Sequence, residues 1–110
     1  MIGGLIAGGG GGGAVRVVVR AIGPTLSNAG IAGALQDPNL ELRDGNGALF
    51  AANDNWRQMQ EPELQATGIP PNDDREAAIL AILNPGAYTA IVRGNTNTTG
   101  VSLVEVYNVP

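Results

Sequence analysis

Residues Ala14–Ile22 read AVRVVVRAI. The run has the two-residue period of a β-strand: Val15, Val17 and Val19 point one way, and Arg16, Val18 and Arg20 the other. Its β-branched residues fit a pleated, half-buried surface, and Gly23-Pro24 ends it with a turn signal. Downstream, Leu40-Glu41-Leu42-Arg43 alternates in the same way. Asp44-Gly45-Asn46-Gly47 is a hairpin turn, and Ala48 to Ala52 returns as the partner strand.

The second half continues the pattern. Glu76–Leu83 (EAAILAIL) has helix-favouring Ala and Leu, but its length and flanking turns make it a strand. Asn84-Pro85-Gly86 turns the chain. Ala87–Arg93 (AYTAIVR) and Val101–Tyr107 (VSLVEVY) are strands on either side of a polar Thr/Asn loop. Short helical turns are expected only within 25–36 and 61–67, the second closed by Gly68. Six or seven short strands with regular turn signals predict an all-β antiparallel sandwich, jelly-roll or immunoglobulin-like.

The late strands are apolar on both faces. Ile79 and Leu83 oppose Leu80 and Ile82, and Val101 and Leu103 oppose Val104 and Val106. A lone sandwich should show water one polar face. Either a long loop of the same chain or another subunit is therefore expected to cover the outer side.

Upstream, the chain is unusual. Met1–Ala7 is apolar and uncharged, and residues 8–13 are six consecutive glycines. Glycine runs carry no side chains to pack and lose the most backbone entropy on ordering. The run reads as a tether of at most about 20 Å. Residues 1–13 thus form an apolar strand on a Gly tether, and residues 14–110 the sandwich domain. The segment lacks the basic start and long apolar core of an intact signal peptide.

Composition narrows the chemistry. Among 110 residues there is no His, no Cys and no Lys, and all six basic residues are Arg. Imidazole bases, thiol nucleophiles, disulfides, Cys or His metal sites and Schiff-base lysines have no candidate. No enzymatic activity and no cofactor are expected. The net charge of −4 argues against nucleic-acid binding. No apolar run approaches the ~20 residues of a membrane span. Charged residues are 15 % of the chain, low for a soluble domain. An Arg-only, low-charge surface fits an exterior that meets protein.

The stretches RVVVRAIGPTL (Arg16–Leu26), DPNLELRDGNGALFAANDNW (Asp37–Trp56), LNPGAYTAIVRG (Leu83–Gly94) and GVSLVEVY (Gly100–Tyr107) resemble a β-sandwich module of secreted proteins of environmental bacteria. The second half resembles the pre-peptidase C-terminal domain pattern. The resemblance implies an extracellular, accessory, non-catalytic module concerned with adhesion, display or surface assembly. The Gly-rich start lies outside it.

Several residues are candidates for function. Ile2, Leu5 and Ile6 are expected to supply the apolar contacts of a strand donated to a neighbouring copy, as in β-strand addition. Arg16, Arg20, Arg93, Val104 and Val106 are expected at an interface between copies. Asn97-Thr98-Thr99 matches the acceptor pattern for N-linked glycan. Asp54, Asp73 and Asp74 are the carboxylates nearest to a Ca²⁺ ligand set, although their spacing matches no EF-hand and Asx clusters commonly cap turns. Trp56 is expected to plug one end of the sandwich. The expected function is a structural subunit of an extracellular bacterial filament or surface assembly, polymerising by donor-strand exchange. The alternative is an accessory adhesion or ligand-binding module of a larger secreted protein.

Overall fold

A computed structural model describes residues 2–7 and 13–109, with only the backbone at Asn97. Its strands are β1 (Ile2–Ala7), β2 (Val15–Ile22), β3 (Pro38–Arg43), β4 (Leu49–Asn53), β5 (Ala77–Leu83), β6 (Gly86–Gly94) and β7 (Leu103–Asn108). They form two antiparallel sheets, ordered β1-β6-β3-β4 and β5-β2-β7. The all-β sandwich expected from the sequence is present, and EAAILAIL is a strand.

Val17, Val19 and Ala21 of β2 face Leu40 and Leu42 of β3, Ile79 and Leu83 of β5, and Ala90 and Val92 of β6 across the central core. The opposite face of β2 carries Val18, which belongs to a second buried cluster with Trp56, Leu64 and Ala78. The cover for the two-faced apolar strands β2 and β5 is therefore a long connection of the same chain. It contains a 3-10 turn at Trp56–Gln58 and α2 (Glu61–Ala66). Glu61 and Glu63 in the first turn of α2 complement its N-terminal partial charge, and Leu64 is the residue it buries.

Two 3-10 turns, Trp56–Gln58 and Asn95–Asn97, lie outside the segments expected to be helical. Neither has a side-chain N-cap, so neither leaves a capping signal to read. The last strand starts at Leu103, because Val101 instead makes an isolated parallel bridge with Ala34. At the other end, β2 leads through Gly23 into α1 (Pro24–Asn28), with proline in the first turn, where no N–H is required. A β-carbon on Gly23 would lie 2.0 Å from the Leu35 carbonyl oxygen, so this crossing admits only glycine.

Candidate functional site

The first strand is an edge strand. β1 pairs with β6 from Ile2↔Ile91 to Ala7↔Gly86, so within the described chain Ile2–Ala7 completes the sheet of its own molecule. Strand alternation sorts its side chains. Gly3, Leu5 and Ala7 stand opposite Ala90, Tyr88 and Gly86, toward the core; Ala7 is buried and Leu5 packs against the core from its margin. Ile2 and Ile6 point outward and are 72 % and 80 % exposed. The expectation that Ile2, Leu5 and Ile6 act together is corrected here. Positions 2 and 6 share one face and position 5 the other, so one strand cannot send all three into one core.

Beneath β1 lies β7, the edge of the other sheet. A β-carbon on Gly3 would touch Val104 Cγ1 at 3.8 Å, so β1 and β7 close one side of the sandwich together. Val104 packs against the core at this seam, while Val106 is exposed.

The expected interface arginines divide. Arg20 is committed within the chain: its Nε donates to Glu105 Oε1 at 3.0 Å, its Nη1 to the Ile69 carbonyl at 3.2 Å, and its guanidinium stacks 5.1 Å from the Tyr107 ring. It ties the covering connection to β7. Arg93 is exposed and stands 3.6 Å from Glu41. Arg16 is exposed on β2, at the rim of a groove on the far side of the molecule.

That groove, of about 620 Å³, separates β4 from β5, the two edges opposite the β1/β7 side. Phe50, Ala51, Met59 and Ile82 line it. Phe50 meets Tyr88 edge-on, with ring centroids 6.0 Å apart. The free edge of β5 is partly capped by amide side chains. Ala78 N donates to Asn53 Oδ1 at 3.0 Å. Gln60 both accepts from Leu80 N and donates to its carbonyl, each at 3.0 Å. These amides stand in for a neighbouring strand. Ile82, two residues on, has no such guard among the described residues.

The carboxylates do not converge. Asp54 accepts from Asn95 Nδ2, Asp73 binds Arg75 at 3.1 Å and Asp74 binds Arg57 at 2.6 Å. Asp73 also accepts from Arg75 N at 2.9 Å, the local turn-capping role common for such residues. Among the described residues no three His, Cys, Asp or Glu side chains gather as a metal site would require. The Asn97 side chain lies outside the described residues. The loop around it is exposed from Thr98 to Gly100, with the Thr96 and Thr98 hydroxyls turned back to the Asn95 carbonyl at 2.6 and 2.8 Å.

Trp56 is buried beneath Arg57, whose guanidinium lies 4.3 Å from the indole. It plugs the outer cluster over β2 and β5 rather than an end of the sandwich. Glu76 was not foreseen as important. Its fully buried carboxylate accepts from Gly23 N at 2.9 Å, Thr25 N at 3.0 Å, Thr25 Oγ1 at 2.7 Å and Asp73 N at 3.2 Å. One available signal was an acid set directly against an apolar strand. Comparison with family models, with curated proteins and with solved structures finds no match.

Proposed function

We propose that this chain is a structural subunit of an extracellular filament or surface assembly, and that its first strand passes from one copy to the next. The observation that carries the reading is β1 itself. It is a strand, followed in the sequence by six glycines, that fills one edge of a sheet with Leu5 and Ala7 turned to the core. The same strand from a neighbour can occupy the same edge with the same register. Donor and acceptor surfaces differ, so such a contact is heterologous and propagates as an open chain.

The energetics set a condition. Full burial of a side chain such as Leu5 contributes about 1.5–3 kcal/mol, offset by ordering of the segment. In an exchange the contacts made in trans equal those lost in cis. A tether of six residues also holds its own strand at an effective concentration on the order of millimolar. Exchange therefore prevails only where further contacts between copies favour it.

The second reading, an accessory adhesion or ligand-binding module of a larger secreted protein, is favoured by β1 pairing with β6 of its own chain. Electron microscopy of the concentrated full-length chain separates the two. Ordered filaments, lost on deletion of residues 1–13, support the subunit reading. A monomer at every concentration supports the module.

A further inference from the structure

A second cleft, of about 400 Å³, lies where β6 ends. Small-molecule sites commonly hold about 300–1,000 Å³. Arg93, Thr98, Thr99 and Ser102 supply its polar lining, and Leu35 and Val92 its apolar part. The loop that forms it is closely held. A β-carbon on Gly94 would lie 2.0 Å from the Thr98 carbonyl oxygen, and one on Gly100 would lie 2.7 Å from Leu35 Cα, so both ends pack backbone against backbone. Val101 N donates to the Gly33 carbonyl and Leu35 N to the Val101 carbonyl, each at 2.8 Å. Between the two glycines, Thr96 has φ +53°, the only non-glycine residue among those described with a positive φ. A β-branched side chain disfavours that conformation. Such strain persists where the surroundings impose it, and it gathers at ligand sites.

Arg93 is the only charged residue along the cleft among the described residues, in a chain of net charge −4. Its side chain is 66 % exposed, and its Nη1 stands 3.6 Å from Glu41 Oε1, beyond hydrogen-bond reach. Glu41 is already bound by Arg43 at 3.1 Å. One carboxylate thus serves two guanidiniums, which leaves an uncompensated positive charge at the cleft. We propose that this cleft binds an acidic sugar, its carboxylate on Arg93 and its ring hydroxyls on Thr98 and Thr99. A guanidinium matches a carboxylate as a two-bond fork. Threonine hydroxyls both donate and accept, as a polyol requires. Thr98 Oγ1 donates to the Asn95 carbonyl at 2.8 Å and so meets a ligand as an acceptor. No aromatic ring lines the cleft among the described residues, so a neutral sugar finds no stacking platform and charge must supply the selection. All these residues belong to one chain. The site is therefore complete in a single copy and stands whether or not β1 passes to a neighbour.

The test is a titration of the dilute full-length chain, followed by its backbone amide resonances at constant ionic strength. The probes are glucuronate, glucose and acetate. Glucuronate is expected to shift the amides of residues 92–102 saturably, and to bind at least tenfold more tightly than either glucose or acetate. Arg93→Gln is expected to weaken glucuronate at least fivefold. Arg57→Gln, which makes the same change in net charge where the guanidinium covers Trp56, should leave it unchanged. Thr99→Val should weaken glucuronate and leave acetate as it was. Arg93 and Thr99 are exposed, so the fold should tolerate both changes, and circular dichroism checks it. No saturable shift within 92–102 would overturn the site. Glucose binding as tightly as glucuronate, or Arg93→Gln binding like the parent, would overturn the role of the charge. Acetate binding as tightly as glucuronate would overturn the sugar and leave only a carboxylate contact.

Discussion

Leu5 stands directly opposite Tyr88 in the β1–β6 ladder. Tyr88 is held from below, its hydroxyl donating to the Asn84 carbonyl at 2.8 Å, so Leu5 packs beside a fixed neighbour. Leu5→Ala is expected to cost about 1–2 kcal/mol in dilute monomer, less than the 2–5 of a fully buried leucine. Ile6→Ala on the outward face should change stability by at most about 0.5 kcal/mol. Urea unfolding midpoints check the order, and equal effects would mean that β1 does not hold the described register.

Glu76 joins three segments through four hydrogen bonds, all of them donated to its carboxylate. In Glu76→Gln an amide N–H₂ replaces one acceptor and faces donors. The expected loss is about 2–3 kcal/mol, from buried donors left unpaired. Thr25→Val should cost less, since it removes one donor and leaves the backbone contacts. A Glu76→Gln protein as stable as the parent would remove the carboxylate from its joining role.

Trp56 fills the outer cluster, and its indole N–H has no hydrogen-bond partner among the described residues. Packing alone should then set its worth. Trp56→Ala is expected to cost about 3–5 kcal/mol, and Trp56→Phe clearly less. Thermal melts of the two variants give the comparison, and equal losses would point to a role for the N–H group.

Asp73 provides a pH test. A side-chain hydrogen bond from the Arg75 guanidinium holds its carboxyl below the ordinary value of 3.8. A carboxyl lowered on folding stabilises the native state above its unfolded pKa and loses that contribution as pH falls through the folded value. Arg75 is exposed, so the effect should stay under about 1 kcal/mol. Asp73→Asn is expected to lower stability by that amount in the neutral range, to leave it nearly unchanged at pH well below 3.8, and so to flatten slightly the fall on acidification. A steeper acid limb in the variant would reverse the sign of the argument.

The strands were legible because their cues are local. Valines of β2 recur at every second position, and Asp44 closes its hairpin by accepting from Asn46 N and Ala48 N at 2.9 and 3.0 Å. The cover on the outer face was legible as a need, since strands apolar on both sides demand one. Its source, Trp56 and Leu64, was not, because clustering depends on how the long connection folds back. The role of Glu76 and the groove beside Ile82 stayed hidden for a similar reason. They arise from which segments and edges meet in space, and hydropathy along the chain carries no record of that. That Ile2 and Ile6 share one face of β1 and Leu5 takes the other follows from strand parity alone.

The central claim is that β1 serves a neighbour. Gly4 and Thr89 are opposed on the outer face of the β1–β6 ladder, and a β-carbon at Gly4 meets nothing within 4 Å. The chain has no cysteine of its own, so Gly4→Cys/Thr89→Cys gives one clean pair at a separation a disulfide can span. The measurement is a non-reducing denaturing gel of assembled, then oxidised, double variant. Strand exchange predicts a ladder of covalent multimers, each chain bonded through position 4 to position 89 of the next. A single band of internally bonded monomer, from material that microscopy shows to be filamentous, would contradict it.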